Sequence, residues 1–406
     1  MTDKPVVIVG GGPAGLIAAA AATEQGANVI LVDREKHAGG ILNQCIHTGF
    51  GLAVYKEELT GPEFAERAAA TALEKGVTFM SETSVLSVSG KTVSVINEHG
   101  VSDIDAGAVV LCTGCRERPR GALHIPGTRP AGVYTAGLAQ KLVNIAGFLP
   151  GKRIVILGSG DIGLIMARRL TLEGAEVLAV VEVMPAPGGL RRNIVQCLDD
   201  FGIPLYLSHT VTDIRGKNRV EGVTIAKVDE KFNPVEGTSF DLDCDTLLLS
   251  VGLIPENEIA ETAGAEIDPA SNGMLVDENL MTTVDGVFGC GNALHVHNLV
   301  DDLAVEAAQA GKNAALYAAG HVFAPCTIPV VNDGAFGNVV PARVSGTQPA
   351  VIRFRVRRPQ KGAAVSVGTF SKRFAHLQPN TMESVTVPAD AFTDKKEAVL
   401  CLNNTL

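Results

Sequence analysis

Residues 6–33 read VVIVGGGPAGLIAAAAATEQGANVILVD, and residues 154–182 read IVILGSGDIGLIMARRLTLEGAEVLAVVE. Each is a β-branched run, a glycine-rich turn, an Ala/Leu-rich helical pattern, a glycine, a second apolar run and an acid. That order is a βαβ unit. Gly10 to Asp33 spans 23 residues and Gly158 to Glu182 spans 24, so one plan is written two times. Residues 84–105 alternate apolar and polar around glycine turns, as a small β-meander does, and residues 211–243 repeat the pattern. Each meander runs into a buried strand ending at glycine, AVVLCTG (108–114) and TLLLSVG (246–252).

The glycine spacing carries the chemistry. In Gly10-x-Gly12-x-x-Gly15 the first glycine makes the tight turn, the second lets the backbone approach a pyrophosphate, and the third lets helix pack on strand. The helix start, with Pro13 and Ala14, offers N–H groups and a positive dipole end to phosphates. Asp33 ends the second strand, where a carboxylate accepts ribose hydroxyls. Gly158-x-Gly160-x-x-Gly163, with Asp161 and Ile162 opening its helix and Glu182 closing the unit, passes the same contextual test. An acid there repels a 2′-phosphate, so NAD(H) is expected over NADP; Arg191 and Arg192, read as a solvated helix start, are the residues that would reverse this.

Composition narrows the class. The chain has 406 residues, 46% of them hydrophobic, enough for a large core. Glycine is high, at 44 residues, without a triplet period. A net charge of −10 argues against non-specific nucleic-acid binding. The charge is uneven: residues 341–406 hold ten Lys/Arg and four Asp/Glu, a net +6, which leaves −16 for the remainder. No apolar run is long enough to span a membrane and no signal-peptide pattern precedes the first strand, so a cytoplasmic location is expected. The eight cysteines are dispersed, without iron–sulfur or zinc spacing, and no metal site is expected.

The expected fold is α/β: two Rossmann-like three-layer dinucleotide-binding domains, the second inserted in the first, plus a small C-terminal β domain. The expected boundaries are 1–120 with 281–324, then 121–280, then 325–406. Residues 280–320 (LMTTVDGVFGCGNALHVHNLVDDLAVEAAQAGKNAALYAAG) read as the return segment completing the first unit.

VVIVGGGPAGL…VILVDRE, AVVLCTG and TTVDGVFGCGN before a helix resemble the flavoprotein superfamily with two dinucleotide-binding domains, the pyridine nucleotide-disulfide oxidoreductase type. The resemblance covers residues 5–320. It implies an FAD- and NAD(P)-dependent oxidoreductase. FAD would lie on Gly10, Gly12, Pro13, Ala14, Gly15, Asp33, Arg34, Gly40, Ile41, Val85, Thr113, Gly114, Gly291 and Asn292. NAD(H) would lie on Gly158, Gly160, Asp161, Ile162, Gly163, Glu182 and Gly252. Family members carry Gly-Asp where this chain has Gly291-Asn292; Asn keeps an acceptor oxygen and adds a donor. The helix beginning near Asp302 would point its N-terminus at the flavin.

GGILNQCIHTGFG (39–51), GCRERPRGALHIPGTRPAGVYTAGLAQ (114–140) and the basic C-terminus are similar to a subgroup accompanying FAD-dependent glycerol-3-phosphate dehydrogenase-like proteins. That implies an electron-transfer subunit in an oligomeric complex with such a dehydrogenase and a small Cys-rich subunit, with no nucleic acid. Two rivals stand beside it. One is a stand-alone NADH-dependent reductase of a disulfide, peroxide or coenzyme A disulfide through Cys45, with His47 lowering its pKa. The other is a non-catalytic dinucleotide-binding redox sensor or assembly module. Position 50, where most disulfide reductases place a second cysteine, is Phe50, so a packing role for Cys45 is the plainer reading. Cys112-x-x-Cys115 has dithiol spacing in an unfavourable context. His295-x-His297 reads as a pair of loop histidines near the flavin, and Glu306 as structural. Arg353, Arg355 and Arg357 alternate on one strand face, with Arg358 following. They fit a solvated edge strand or a docking surface for an acidic partner equally well.

Overall fold

The computed structural model describes residues 4–404. In chain order the elements that carry the argument begin with β1 (Val6–Val9), α1 (Pro13–Glu24), β2 (Val29–Val32) and β3 (Ala108–Leu111). Next come β4 (Arg153–Leu157), α2 (Asp161–Leu172), β5 (Glu176–Glu182) and β6 (Thr246–Leu249). Last are β7 (Val287–Gly289), α3 (Val300–Ala318) and β8 (Ala350–Val356).

The first unit holds a five-stranded parallel sheet in the order β7-β3-β1-β2 and then Thr78–Met80. Val6 to Val9 pair with Val29 to Val32 on one side and Ala108 to Leu111 on the other. Both faces of these strands are covered, which is why they read as continuous apolar runs. The Ala-run of α1 has a packing reason. A Cβ on Gly311 of α3 would lie 2.0 Å from the Ala18 carbonyl oxygen of α1, so the two helices approach at backbone distance. Only small residues such as Ala18, Ala22, Ala310 and Ala314 fit such a seam, and all four are buried.

The second unit, Arg116–Ile254, repeats the design. Its parallel sheet runs Val133–Thr135, β6, β4, β5 and Leu205–Leu207. Alternate residues of β4 face opposite layers: Ile154 and Ile156 join a core with Leu164 and Ala167 of α2, while Val155 and Leu157 join another with Val211, Val223 and Ile225 of the meander. Helices, sheet and meander are the three layers.

Three boundaries differ from the sequence expectation, the first by a few residues: the second unit starts at Arg116 rather than at 121. Residues 255–280, assigned there to the second domain, belong to the first unit. Ala260, Met274 and Val276 lie in the first unit's core, and the Val88 amide donates to Thr262 Oγ1 at 3.0 Å. A short helix, Glu258–Ala263, hides this allegiance, because nothing in its pattern says which sheet it covers. Residues 325–404 do form β-structure with their own core, a five-stranded and a three-stranded sheet closing over Phe336, Ile352, Phe354, Val365 and Leu400. They nonetheless belong to the first unit. The Ala342 amide donates to the Val276 carbonyl at 2.8 Å. Among the described residues no helix is long and apolar enough to cross a membrane.

Gly311→Ala should destabilise the fold by about 1–3 kcal/mol, the range for overpacking against backbone. Gly121→Ala, at a site where a Cβ meets nothing within 4 Å, should stay within about 0.5 kcal/mol. Chemical denaturation of the two variants checks the contrast.

Candidate functional site: two glycine cradles and a buried charge cluster

The first cradle opens where β1 ends. Gly10 has φ +105°, and a Cβ there would lie 2.4 Å from the Cys112 carbonyl oxygen. A Cβ on Gly15 would lie 1.8 Å from the Gly10 carbonyl oxygen, so only glycine lets α1 start this close to the strand. Gly12 caps the helix without a side-chain hydrogen bond, and its Cβ position has nothing within 4 Å. Uncapped first-turn amides beside open space suit a pyrophosphate. Gly40 crosses over this turn, its Cβ position 3.0 Å from Gly12 Cα. Gly291, just past β7, brings its own Cβ position within 2.8 Å of Ala14 Cβ. Gly114 follows β3 at φ +76° with open space above it, and Thr113 Oγ1 donates to the Glu256 carbonyl at 2.6 Å. The expected glycines thus converge at the C-terminal ends of the parallel strands. Asp33 binds the Gly11 amide through Oδ2 and accepts the Glu35 amide through Oδ1 at 2.7 Å. Ile41 and Arg34 are exposed, and Val85 sits half-buried in the meander strand Ser84–Ser89.

The second cradle has the same turn but a different acid. Gly158 has φ +99°, with its Cβ position 2.1 Å from the Ser250 carbonyl oxygen, and a Cβ on Gly163 would lie 2.8 Å from the Gly158 carbonyl oxygen. Gly160 caps α2 without a side-chain hydrogen bond. Ser159 stands where the first cradle has Gly11, and its hydroxyl changes the local bonding. Glu182 Oε2 accepts Ser159 Oγ at 2.6 Å and the Ser159 amide at 2.9 Å, while Oε1 accepts the Met184 amide at 2.9 Å. Ser159 Oγ in turn accepts the Gly188 amide at 2.8 Å. Asp161 Oδ1 accepts the Leu190 amide at 2.8 Å and Asn193 Nδ2 at 2.6 Å. The Gly163 amide donates to Ser250 Oγ at 3.1 Å. Ile162 is half-buried, and Gly252 follows β6 at φ +101°. Sequence reasoning missed Ser159, Gly188 and Ser250. The available signal was a hydroxyl inside the glycine turn with an acid 23 residues downstream.

The cysteines do not form the arrangements considered from sequence. Cys45 Sγ lies 3.3 Å from the Ile41 carbonyl oxygen, and burial pushes its pKa up to about 12. His47 Nδ1 lies 3.0 Å from the Thr48 carbonyl, and its ring packs on Phe50 at 5.0 Å. Burial thus moves the Cys45 thiol away from the low pKa that suits a nucleophile. Cys112 and Cys115 turn apart. Cys112 Sγ meets Cys290 Sγ at 3.3 Å in the core, whereas Cys115 Sγ lies 3.5 Å from Asn292 Nδ2.

The histidine loop leads to the densest polar cluster. Glu306, fully buried on α3, accepts the Gly291 amide at 2.9 Å and meets His295 Nε2 at 2.8 Å. His297 Nε2 lies 3.4 Å from its other oxygen, and the two rings stack at 4.1 Å. Arg353 Nε, from β8, reaches the same carboxylate at 3.5 Å. Burial works against the Glu306 charge, but the His295 and His297 contacts hold its carboxyl well below the usual range. Burial lowers the pKa of His295, favouring a neutral ring that donates through Nε2. Donor atoms of His295, His297 and Glu306 lie within 4.8 Å of one another, a spacing a metal ion also uses. Here the Arg353 guanidinium supplies the positive charge.

Both sequence readings of the arginine strand are overturned for its inward members. β8 is the central strand of its sheet, not an edge. Arg355 Nη2 donates to the Val296 carbonyl at 2.7 Å and to Asn298 Oδ1 at 3.1 Å. The alternation was correctly placed, but the face it creates covers the histidine loop. Asp301 and Asp302 occupy the first turn of α3, and Asp301 Oδ1 accepts the Ala53 and Val54 amides.

Comparison with known proteins agrees with this anatomy. The family model described as pyridine nucleotide-disulphide oxidoreductase matches residues 4–315. An opine oxidase subunit of Agrobacterium tumefaciens (strain Ach5) is 23% identical over 96% of this chain and 77% of its own length. The small chain of NADPH glutamate synthase from Mycobacterium tuberculosis is 27% identical over 72% of this chain and 62% of its own length. Among solved structures, thioredoxin reductase of T. acidophilum has a TM-score of 0.63 at 23% identity. It covers 78% of this chain and 98% of its own. The chain belongs to the pyridine nucleotide-disulphide oxidoreductase family and is an FAD- and NAD(P)-dependent oxidoreductase.

Proposed function

We propose that this chain is the electron-transfer flavoprotein subunit of a multi-subunit dehydrogenase, passing electrons between NAD(H) and a partner chain. FAD is assigned to the first cradle, at Gly10, Gly12, Asp33, Gly40, Gly114 and the Gly291-Asn292 pair. NAD(H) is assigned to the second, at Gly158, Gly160, Gly163 and Glu182. Bound together, the two cofactors supply hydride transfer between nicotinamide and flavin. The protein's part is to hold the phosphates on the starts of α1 and α2, where the N-cap glycines offer no side chain, and the riboses near the strand-end acids.

The observation that carries this reading is the pairing of two complete glycine cradles with a buried Cys45 and a Cys112-x-x-Cys115 segment whose thiols turn apart. Cys45 is pushed to about 12, and Cys112 and Cys115 face different partners. Chemistry on an organic substrate then belongs to another polypeptide. The names of the two relatives, a small chain and an oxidase subunit, support that division of labour. The proposed companions are a glycerol-3-phosphate dehydrogenase-like partner and a small Cys-rich subunit. NAD(H) is preferred because Glu182 would repel a 2′-phosphate.

Anaerobic titration of the FAD-loaded protein tests the role. NADH should bleach the flavin absorbance and NADPH should do so far more slowly. A flavin that stays oxidised in NADH, both alone and with the co-purified partners, overturns the proposal; faster reduction by NADPH overturns the nucleotide preference. The thiol reading makes a separate forecast. Cys45 should alkylate about a thousandfold more slowly at neutral pH than a free cysteine, following its smaller thiolate fraction. Cys45→Ser should leave NADH-driven flavin reduction and turnover unchanged. Loss of turnover with flavin reduction intact would restore the stand-alone disulfide reductase.

A further inference from the structure

Cys112 and Cys290 follow two neighbouring strands of the first sheet. β3 and β7 pair in parallel, Val109 with Val287, Val110 with Phe288 and Leu111 with Gly289. The Cys290 amide donates to the Leu111 carbonyl at 3.2 Å, so the ladder runs on and brings the two cysteines level. Their sulfurs lie 3.3 Å apart, and the residues are only 6% and 0% exposed. Adjacent strands stand about 4.8 Å apart, inside the Cα range of roughly 4.4–6.8 Å that a disulfide accepts. The sulfurs need to close by only about 1.2 Å to reach bonding distance.

We infer that Cys112 and Cys290 are an oxidation site for hydrogen peroxide, which converts them to a disulfide that ties β7 to β3 beside the first cradle. The pair is sealed from bulky disulfides such as glutathione, but not from an oxidant close to water in size. Cys112, which keeps some exposed surface, reacts first. Its sulfur bonds to one peroxide oxygen, the O–O bond breaks, and the thiol proton leaves with the other oxygen as water. The product is a sulfenic acid. The Cys112 contact and then burial hold the Cys290 thiol well above its ordinary range, so Cys290 is the second reactant. Its sulfur attacks the sulfenic sulfur, the S–O bond breaks, and a second water leaves with the Cys290 proton. Two thiols lose two electrons and one peroxide gains them.

A reduced flavin in the first cradle supplies the peroxide from dioxygen. That source rests on the assignment of FAD to this cradle; the thiol site does not. The chain reaches Cys290 178 residues after Cys112. A covalent tie over that separation restricts the unfolded chain, so the oxidised form is the more heat-resistant one. The tie also fixes the Cys112 carbonyl, which lies 2.4 Å from the Cβ position of Gly10.

Hydrogen peroxide added to the full chain should form a disulfide between Cys112 and Cys290, read by tandem mass spectrometry of a non-reduced digest. The melting temperature should rise by about 5 °C, the scale of a cross-link over a long loop, and dithiothreitol should reverse the rise. Cys290→Ser should lose both link and shift and leave Cys112 as a sulfenic acid, trapped by dimedone on unfolding. Cys290→Ala serves if the serine variant does not fold. In FAD-loaded protein, NADH in air should make the same link and NADH under argon should not. Cys112 and Cys290 still free once other cysteines are oxidised overturns the site. An equal shift in Cys290→Ser overturns the stabilising role. A disulfide that NADH reduces through the flavin overturns the proposal by placing the pair in the electron path. A link made by added peroxide, but not by NADH in air, overturns the flavin source. The same link in a chain that takes up no FAD upholds the site and sinks the FAD assignment instead.

Discussion

The structure depends on how closely a helix can start beside a strand. At Gly15 the spare distance is nil: a single methyl would overlap the Gly10 carbonyl. This contact sets the direction of α1, and α1 sets that of α3 through Gly311 on Ala18. The start of α3 then places the loop from Gly291 to Leu299 against the opening of α1, where Gly291 touches Ala14. Three glycines far apart in the chain are one packing constraint.

That constraint explains what was readable in advance. The glycine spacings, the apolar strands and the acids at strand ends are local patterns, and they located both cradles and the order of layers. What escaped was tertiary. The helix Glu258–Ala263 looks the same whichever sheet it covers, so the boundary near residue 280 was misplaced. The alternation of Arg353 and Arg355 gave their shared face but not what lies against it. Cys290 carries no sign that Cys112 will be its neighbour, because 178 residues separate them.

The charged cluster shows why a buried carboxylate is tolerated. Glu306 has no exposed surface, yet an amide, an imidazole N–H and a guanidinium all point at its oxygens. An unpaired charge in that position would cost several kcal/mol, of the order known for buried ions. The arginines that give the C-terminal segment its positive balance are thus partly internal. Only Arg357 and Arg358 are exposed at the end of that run.

The two cradles differ at their acids by one hydroxyl. In the first, the Gly11 and Glu35 amides take both oxygens of Asp33. In the second, Ser159 and Met184 already occupy both oxygens of Glu182 before any ribose arrives. Hydroxyls entering there exchange one set of polar contacts for another, and exchanges of that kind are close to neutral. The strand-end acid of either cradle therefore serves the protein's own turn first, and a ligand hydroxyl that enters must replace a bond already made.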